Sequence, residues 1–219
     1  ILRDEWGFDG IVMTDWGATN QRIEGIKAGL DLEMPASGRL NTDRIIKAVQ
    51  SGELSYDKLD ACVTRLLALI IKSRRLLNDN HQHSANEHHQ VAKLAALEAC
   101  VLLKNEQQNL PLSTSDKVGV IGALAKDTRY QGSGSSQINP THLDQPLEAI
   151  SLLNAGVEYV PGYKLKGATP KSFIDDAIAL AENMDNIILI VGLTRECESE
   201  GFDRTHLDLP AGQIALIEA

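Results

Sequence analysis

Short apolar runs bordered by glycine constrain this chain more than any other feature. Gly10-Ile-Val-Met-Thr14 is one, Val118-Gly-Val-Ile-Gly122 a second, and Asn186-Ile-Ile-Leu-Ile-Val-Gly192 a third. Such runs mark strands covered on both faces, as in a parallel sheet. The first stops at Asp15, with Trp16 beside it, and the third leads into the acidic cluster Glu196-Cys-Glu198-Ser-Glu200-Gly-Phe-Asp-Arg204. A carboxylate just past the carboxyl end of a buried strand lies where barrel and open α/β enzymes keep their reacting groups.

Between these runs the pattern alternates with helices. A helix is expected around Asn20 to Ala28 with Gly29 at its C′ position, and Leu30 to Pro35 should form a short strand ended by proline. Asn41 to Gln50 should be helical, closing at Ser51-Gly52. Ser55 can cap a long helix running to about Arg74, with Leu59, Val63, Leu66, Leu67 and Ile70 at core spacing. The polar stretch from Leu77 to Glu87 reads as linker, and Glu87 to Asn105 as a helix before the turn at Asn109-Leu-Pro111. From Lys117 strand and helix alternate: strand Val118 to Gly122, helix Leu147 to Leu153, strand Val157 to Val160, helix Pro170 to Asn183 and strand Ile187 to Val191. That rhythm implies a second domain with a mostly parallel sheet.

At 219 residues, 43% hydrophobic and 23% charged, the chain can bury a real core as one or two domains. A formal charge of -9 argues against nucleic acid or an anionic membrane as the main partner, and no apolar stretch approaches the ~20 residues of a membrane helix. Cys62, Cys100 and Cys197 are odd in number and widely spaced, which suits reduced thiols and gives no metal-ligand spacing. His81, His83, His88 and His89 cluster in sequence, but in a polar linker and helix start without cysteine, so no metal and no cofactor is expected.

On local pattern alone, Asp15 reads as well as a turn former as a reacting group. Glu196, Glu198 and Glu200 alone read as a solvated acidic loop that Arg204 neutralises through Asp203. Trp16 is either a core tryptophan or an apolar wall on which a sugar ring stacks. Gly132-Ser-Gly-Ser-Ser136 lacks both the Gly-Lys-Ser/Thr ending of a phosphate loop and the spacing of a dinucleotide fingerprint. It reads as an inter-domain loop that could line a sugar site.

Several blocks, in order, resemble family 3 glycoside hydrolases, the β-glucosidase family. They are Gly7-Phe-Asp-Gly-Ile-Val-Met-Thr-Asp15-Trp16-Gly-Ala, Ala28-Gly-Leu-Asp-Leu-Glu-Met-Pro35, Val101-Leu-Leu-Lys-Asn-Glu106, Leu110-Pro-Leu112, Gly132 to Ser136, Glu198-Ser-Glu-Gly-Phe-Asp-Arg204 and Leu207-Asp-Leu-Pro210. The resemblance implies an α/β chain: the C-terminal part of a (β/α)8-type barrel over 1–76, a linker region over 77–116 and part of an α/β sandwich domain over 117–219. It further implies a retaining enzyme that cleaves terminal β-D-glucosyl residues from β-glucosides or short oligosaccharides, with Asp15 as nucleophile, Glu200 as acid/base and Trp16 against the sugar. Glu198 is the rival for the acid/base role. Thr14 stands where serine is commoner, and Asn20-Gln21-Arg22 lacks an acidic residue often found there, so no substrate contact is assigned to that stretch. A retaining glycosidase needs one ionised carboxylate to attack the anomeric carbon and a second, ~5–5.5 Å away, that keeps its proton. A partly apolar setting beside the first carboxylate would keep that proton in place.

The alternative is a non-catalytic carbohydrate-binding or inactive piece of the same family; a homo-oligomer is compatible with either. The chain opens without methionine or a leader and stops inside a helix just begun, so it reads as an internal piece and leaves its compartment open. With room for only about two of the eight strands a barrel needs, the piece by itself is expected to hydrolyse no β-glucoside.

Overall fold

A computed structural model describes residues 1–77 and 82–219. His81 and the 78–81 part of the expected linker lie outside the described residues. The chain divides into two units, Ile1–His83 and Ser84–Ala219.

In the first unit, α1 (Arg22–Lys27), α2 (Arg39–Gln50) and α3 (Tyr56–Arg74) close around Ile26, Ala48, Leu54 and Cys62. Ser55 caps α3 as expected, its hydroxyl accepting from the Lys58 N–H. The core face of α3 is narrower than the apolar spacing implied. Cys62 is buried and Leu59 and Leu66 are half-buried, whereas Val63, Leu67 and Ile70 are exposed. The helix turns its Leu59-Cys62-Leu66 stripe inward, and the next stripe round is left exposed among the described residues of this unit.

The two expected strands of this unit reduce to a single parallel bridge, Met13 to Leu32. The Asp31 and Leu32 N–H groups donate to the Val12 carbonyl at 3.0 and 3.1 Å, and the Thr14 N–H to the Leu32 carbonyl at 3.0 Å. The β-α-β path around α1 is thus present, but the strands are not. A parallel ladder gains regularity from neighbours on both edges, and among the described residues of this unit each run has only the other. Met13 is accordingly exposed.

An ionic knot ties these runs to the helices. The Asp31 side chain is fully buried and meets Arg3 Nη2 at 2.5 Å and Arg65 Nη2 at 2.7 Å, while the Val12 N–H donates to its Oδ2 at 2.9 Å. Burial pushes the Asp31 carboxyl up, but the Arg65 guanidinium and the Val12 amide outweigh it and hold the carboxyl below its ordinary value. Burial and the neighbouring Asp31 push the Cys62 thiol up, which leaves it inert.

The second unit begins with α4 (Ala85–Ala99), capped by Ser84 through the Glu87 N–H. This helix stops well short of Asn105. Cys100 is already extended, Val101, Leu102 and Leu103 are exposed, and Asn105 exchanges two hydrogen bonds with the Leu110 backbone, at 3.1 and 3.0 Å. Asn105 thus locks the turn before Pro111 and does not extend the helix.

The sheet holds β1 (Val118–Ile121), β2 (Glu158–Val160) and β3 (Asn186–Leu189), all parallel, in the order β2-β1-β3. Its crossovers contain α5 (Pro146–Leu153) and α6 (Lys171–Ala181), and α7 (Ala211–Glu218) follows β3. Central β1 is buried along its whole length, as its unbroken apolar run predicts. Val118 and Val120 face Leu147 and Ile150 of α5; Ile121 faces Ala177 and Leu180 of α6 and Leu216 of α7. Covered on both faces, the sheet is an α/β layer whose strand order reverses about β1. Such sheets collect ligands beyond their carboxyl ends at the reversal. The chain leaves β1 through Gly122, whose φ of +139° and 2.1 Å gap from a would-be Cβ to the Ile190 carbonyl oxygen exclude any side chain.

Candidate active site

Asp15 stands on a tight turn immediately beyond the Met13–Leu32 bridge. The Ala18 N–H returns to the Asp15 carbonyl, and both central residues are left-handed, Trp16 at φ 72° and Gly17 at φ 75°. Glycine adopts that conformation freely; for tryptophan it costs about 1–3 kcal/mol and tends to be kept where function needs it. The turn is pinned from the facing run. Trp16 and Gly17 N–H groups donate to the Met34 carbonyl at 3.3 and 2.9 Å, and the Thr14 hydroxyl donates to that carbonyl while accepting from the Met34 N–H. Thr14 therefore braces the segment that presents Asp15. Both Asp15 and the Trp16 ring are exposed, so in this unit Trp16 is no core residue.

Glu200 is presented by the loop that leaves β3. An antiparallel bridge between Ser199 and Phe202 holds Glu200 and Gly201 at the tip of a turn, with Gly201 at φ +100°. The loop leaving β1 comes to meet it. Ser135 donates its backbone N–H and its hydroxyl to Oε2 of Glu200, at 2.7 and 2.6 Å. Gly134 makes that approach feasible, since a Cβ there would sit 2.6 Å from both Glu200 Cβ and Oε2. The Gly132-Ser-Gly-Ser-Ser136 motif is therefore a carboxylate cradle built by adjacent strands β1 and β3.

The Ser135 hydroxyl, and then its amide, hold the exposed Glu200 carboxyl below the ordinary glutamate range. This departs from the sequence reading, which expected a partly apolar setting that favours the protonated form. Hydrogen bonding to the charged form prevails because Glu200 is solvated here. Glu198 is engaged differently: Arg129 Nη2 lies 2.9 Å from its Oε1, and Arg129 Nη1 reaches the Leu193 carbonyl. Among the described residues the acidic loop is met by Arg129 at Glu198 and by Lys166 at Glu196, the latter pair 3.4 Å apart, where sequence pointed to Arg204. Arg129, Glu198, Glu200, Phe202 and Arg204 line one open cleft.

Beneath the loop, buried Gln213 of α7 grips the Gly192 backbone at both ends, accepting its N–H at 2.9 Å and donating to its carbonyl at 2.8 Å. Tyr163 likewise bridges the two strand ends, accepting from the Leu124 N–H and donating to the Ile190 carbonyl. Ser135 lies in the glycine–serine motif that sequence singled out, but its partner Glu200 was not foreseen; Arg129, Gln213 and Tyr163 escaped the sequence reading. Of these three, only Gln213 carried a signal, as a lone polar residue between apolar neighbours on a helix.

Of the histidines clustered in sequence, His89 alone joins a candidate metal-ligand set among the described residues, and its companions, His142 and Asp144, are distant in sequence.

Two family profiles match the chain: the glycosyl hydrolase family 3 N-terminal domain over residues 1–69 and the glycosyl hydrolase family 3 C-terminal domain over residues 100–219. Similar curated proteins include thermostable beta-glucosidase B of Acetivibrio thermocellus, 44% identical, and exo-alpha-(1->6)-L-arabinopyranosidase of Bifidobacterium longum, 41% identical. Each aligns with all of this chain, which spans 30% of the relative's length. The crystal structure of a GH3 beta-glucosidase from Bifidobacterium adolescentis superposes on the entire chain with a TM-score of 0.91 at 38% identity, the chain covering 32% of it.

Proposed function

The chain belongs to glycosyl hydrolase family 3, and from that premise we propose that it carries both reacting carboxylates of a retaining glycosidase. The reading rests on one observation above all: Asp15 stands on a braced turn beyond the Met13–Leu32 parallel bridge, and Glu200 at the tip of a turn, held by Ser135, in the loop that leaves parallel strand β3. In this reading residues 1–76 close a barrel domain, 77–116 link, and 117–219 open a sandwich domain. Asp15 attacks the anomeric carbon while the bond to the leaving oxygen breaks, and Glu200 gives that oxygen its proton. Water then attacks the same carbon, Glu200 takes the water's proton and Asp15 departs as carboxylate. Trp16 offers its exposed face to the sugar.

The substrate we propose is a terminal β-D-glucosyl residue. The 41% identity to an arabinopyranosidase favours a second reading, a terminal α-L-arabinopyranosyl residue. Both sugars carry an equatorial leaving group, so the same two carboxylates serve either. The ratio of kcat/KM for aryl β-D-glucoside and aryl α-L-arabinopyranoside, measured on the complete protein, decides between them.

The acid/base role is tested by Glu200→Ala in the complete protein. Turnover should collapse for substrates with poor leaving groups and survive for activated ones, because only the former need protonation. Added azide should then be glycosylated with retention, since it attacks the intermediate without a base. If Glu198→Ala behaves this way and Glu200→Ala does not, the role moves to Glu198. Absence of any glycoside turnover by the wild-type protein would favour the non-catalytic reading.

Ser135 provides a pH prediction. Its hydroxyl stabilises the charged form of Glu200, so Ser135→Ala should raise the carboxyl's pKa. The alkaline limb of the kcat/KM profile, set by loss of the acid's proton, should move to higher pH. The shift is partial because the backbone donor remains. An unmoved limb would show that this contact does not persist in the working enzyme.

A further inference from the structure

We propose that His89, His142 and Asp144 form a surface site for one divalent transition-metal ion of the zinc type. His89 stands on α4, while His142 and Asp144 lie two residues apart on the segment that leads into α5. The Asp144 carboxylate sits between the two imidazoles, Oδ1 at 2.8 Å from His142 Nε2 and Oδ2 at 3.0 Å from His89 Nε2. The rings meet edge to face with centroids 4.3 Å apart. The three donor atoms all fall within 4.8 Å of one another.

Two imidazole nitrogens and one carboxylate oxygen suit zinc and its neighbours, whereas calcium and magnesium take oxygen donors. Around an ion with bonds of about 2.0–2.2 Å, such donors stand roughly 3.3 Å apart, and each histidine is already near that spacing from one of the two Asp144 oxygens, His142 from Oδ1 and His89 from Oδ2. The remaining closure is a small rotation of exposed side chains: His142 and Asp144 are each 60% exposed. That exposure leaves the fourth position to water. On binding, each neutral imidazole carries its proton on Nδ1 and turns Nε2 to the ion, so the two hydrogen bonds to Asp144 give way to coordination. The ion would staple α4 to the approach of α5, closing a loop from residue 89 to residue 142.

The probe is zinc itself, titrated calorimetrically into the complete protein after chelator treatment. One ion per chain should bind at micromolar concentration, and cobalt in its place should give the visible bands of a four-coordinate centre. His89→Ala and His142→Ala should each weaken binding on the order of 100-fold, whereas His88→Ala, one residue away, should leave it unchanged. Far- and near-UV circular dichroism identical to wild type establishes that each variant is folded. Binding only at millimolar zinc, equal binding of calcium, or wild-type affinity in either ligand variant would overturn the site.

Discussion

Asp15→Asn should abolish nearly all glycoside turnover of the complete protein, lowering kcat roughly 10³–10⁴-fold while leaving its folding unchanged. The two expectations separate because of how the turn is made. Among the described residues, the hydrogen bonds that hold residues 14–18 use backbone groups or the Thr14 hydroxyl, and none uses the Asp15 carboxylate. Asparagine keeps the size and the turn preference but cannot form the ester to the anomeric carbon. A 2-fluoro sugar with a good leaving group slows both halves of the reaction and lets the covalent adduct accumulate. Peptide mapping should place that adduct on the segment holding Asp15. Labelling of a different carboxylate would remove Asp15 from the role, whatever the activity of the variant.

Breaking the Arg65–Asp31 pair should produce the largest stability loss in the first unit. Arg65→Met leaves the fully buried Asp31 carboxylate with Arg3, the Val12 amide and the Cys62 thiol as partners. Losing one partner of a buried pair costs about 3–5 kcal/mol, and the residual contact with Arg3 puts the expected value near the lower end. Urea unfolding of the complete protein should show the corresponding fall in midpoint, and a loss below about 1 kcal/mol would class the pair with surface salt bridges. The same group makes stability depend on pH. Its folded pKa lies below the ordinary value of 3.8, so its contribution is fully present above about pH 4. The contribution disappears as pH falls through the lower folded value. Asp31→Asn should be less stable at neutral pH and should lose that part of the acid dependence.

Much of the chain's local structure was legible because it depends on neighbours in sequence. The apolar run Val118–Ile121 has the composition of a buried strand; Ser55 announced a helix start; Gly29 and Gly52 announced helix ends, whereas the Ser84 cap went unread because Ser84 sits in a stretch whose polarity reads as linker. Asp15 and Glu200 were singled out by the family resemblance; on local pattern alone Asp15 reads equally as a turn former and Glu200 as part of a solvated acidic loop. Tertiary structure decided what periodicity leaves open. On α3 several apolar stripes are consistent with the same spacing, and packing against Ile26 and Leu54 selected the one through Cys62. The run at Ile11–Thr14 has a strand's composition, yet with one neighbouring run it makes only a bridge. Partners were the least legible of all. Ser135 meets Glu200 across 65 positions, Arg129 meets Glu198 across 69, and His89 meets Asp144 across 55. No local pattern encodes such pairings, because a side chain's hydrogen-bonding capacity is written in its own residue type. Which group satisfies it depends on where the parallel strands β1 and β3 deliver their loops, and that is set only when the sheet closes.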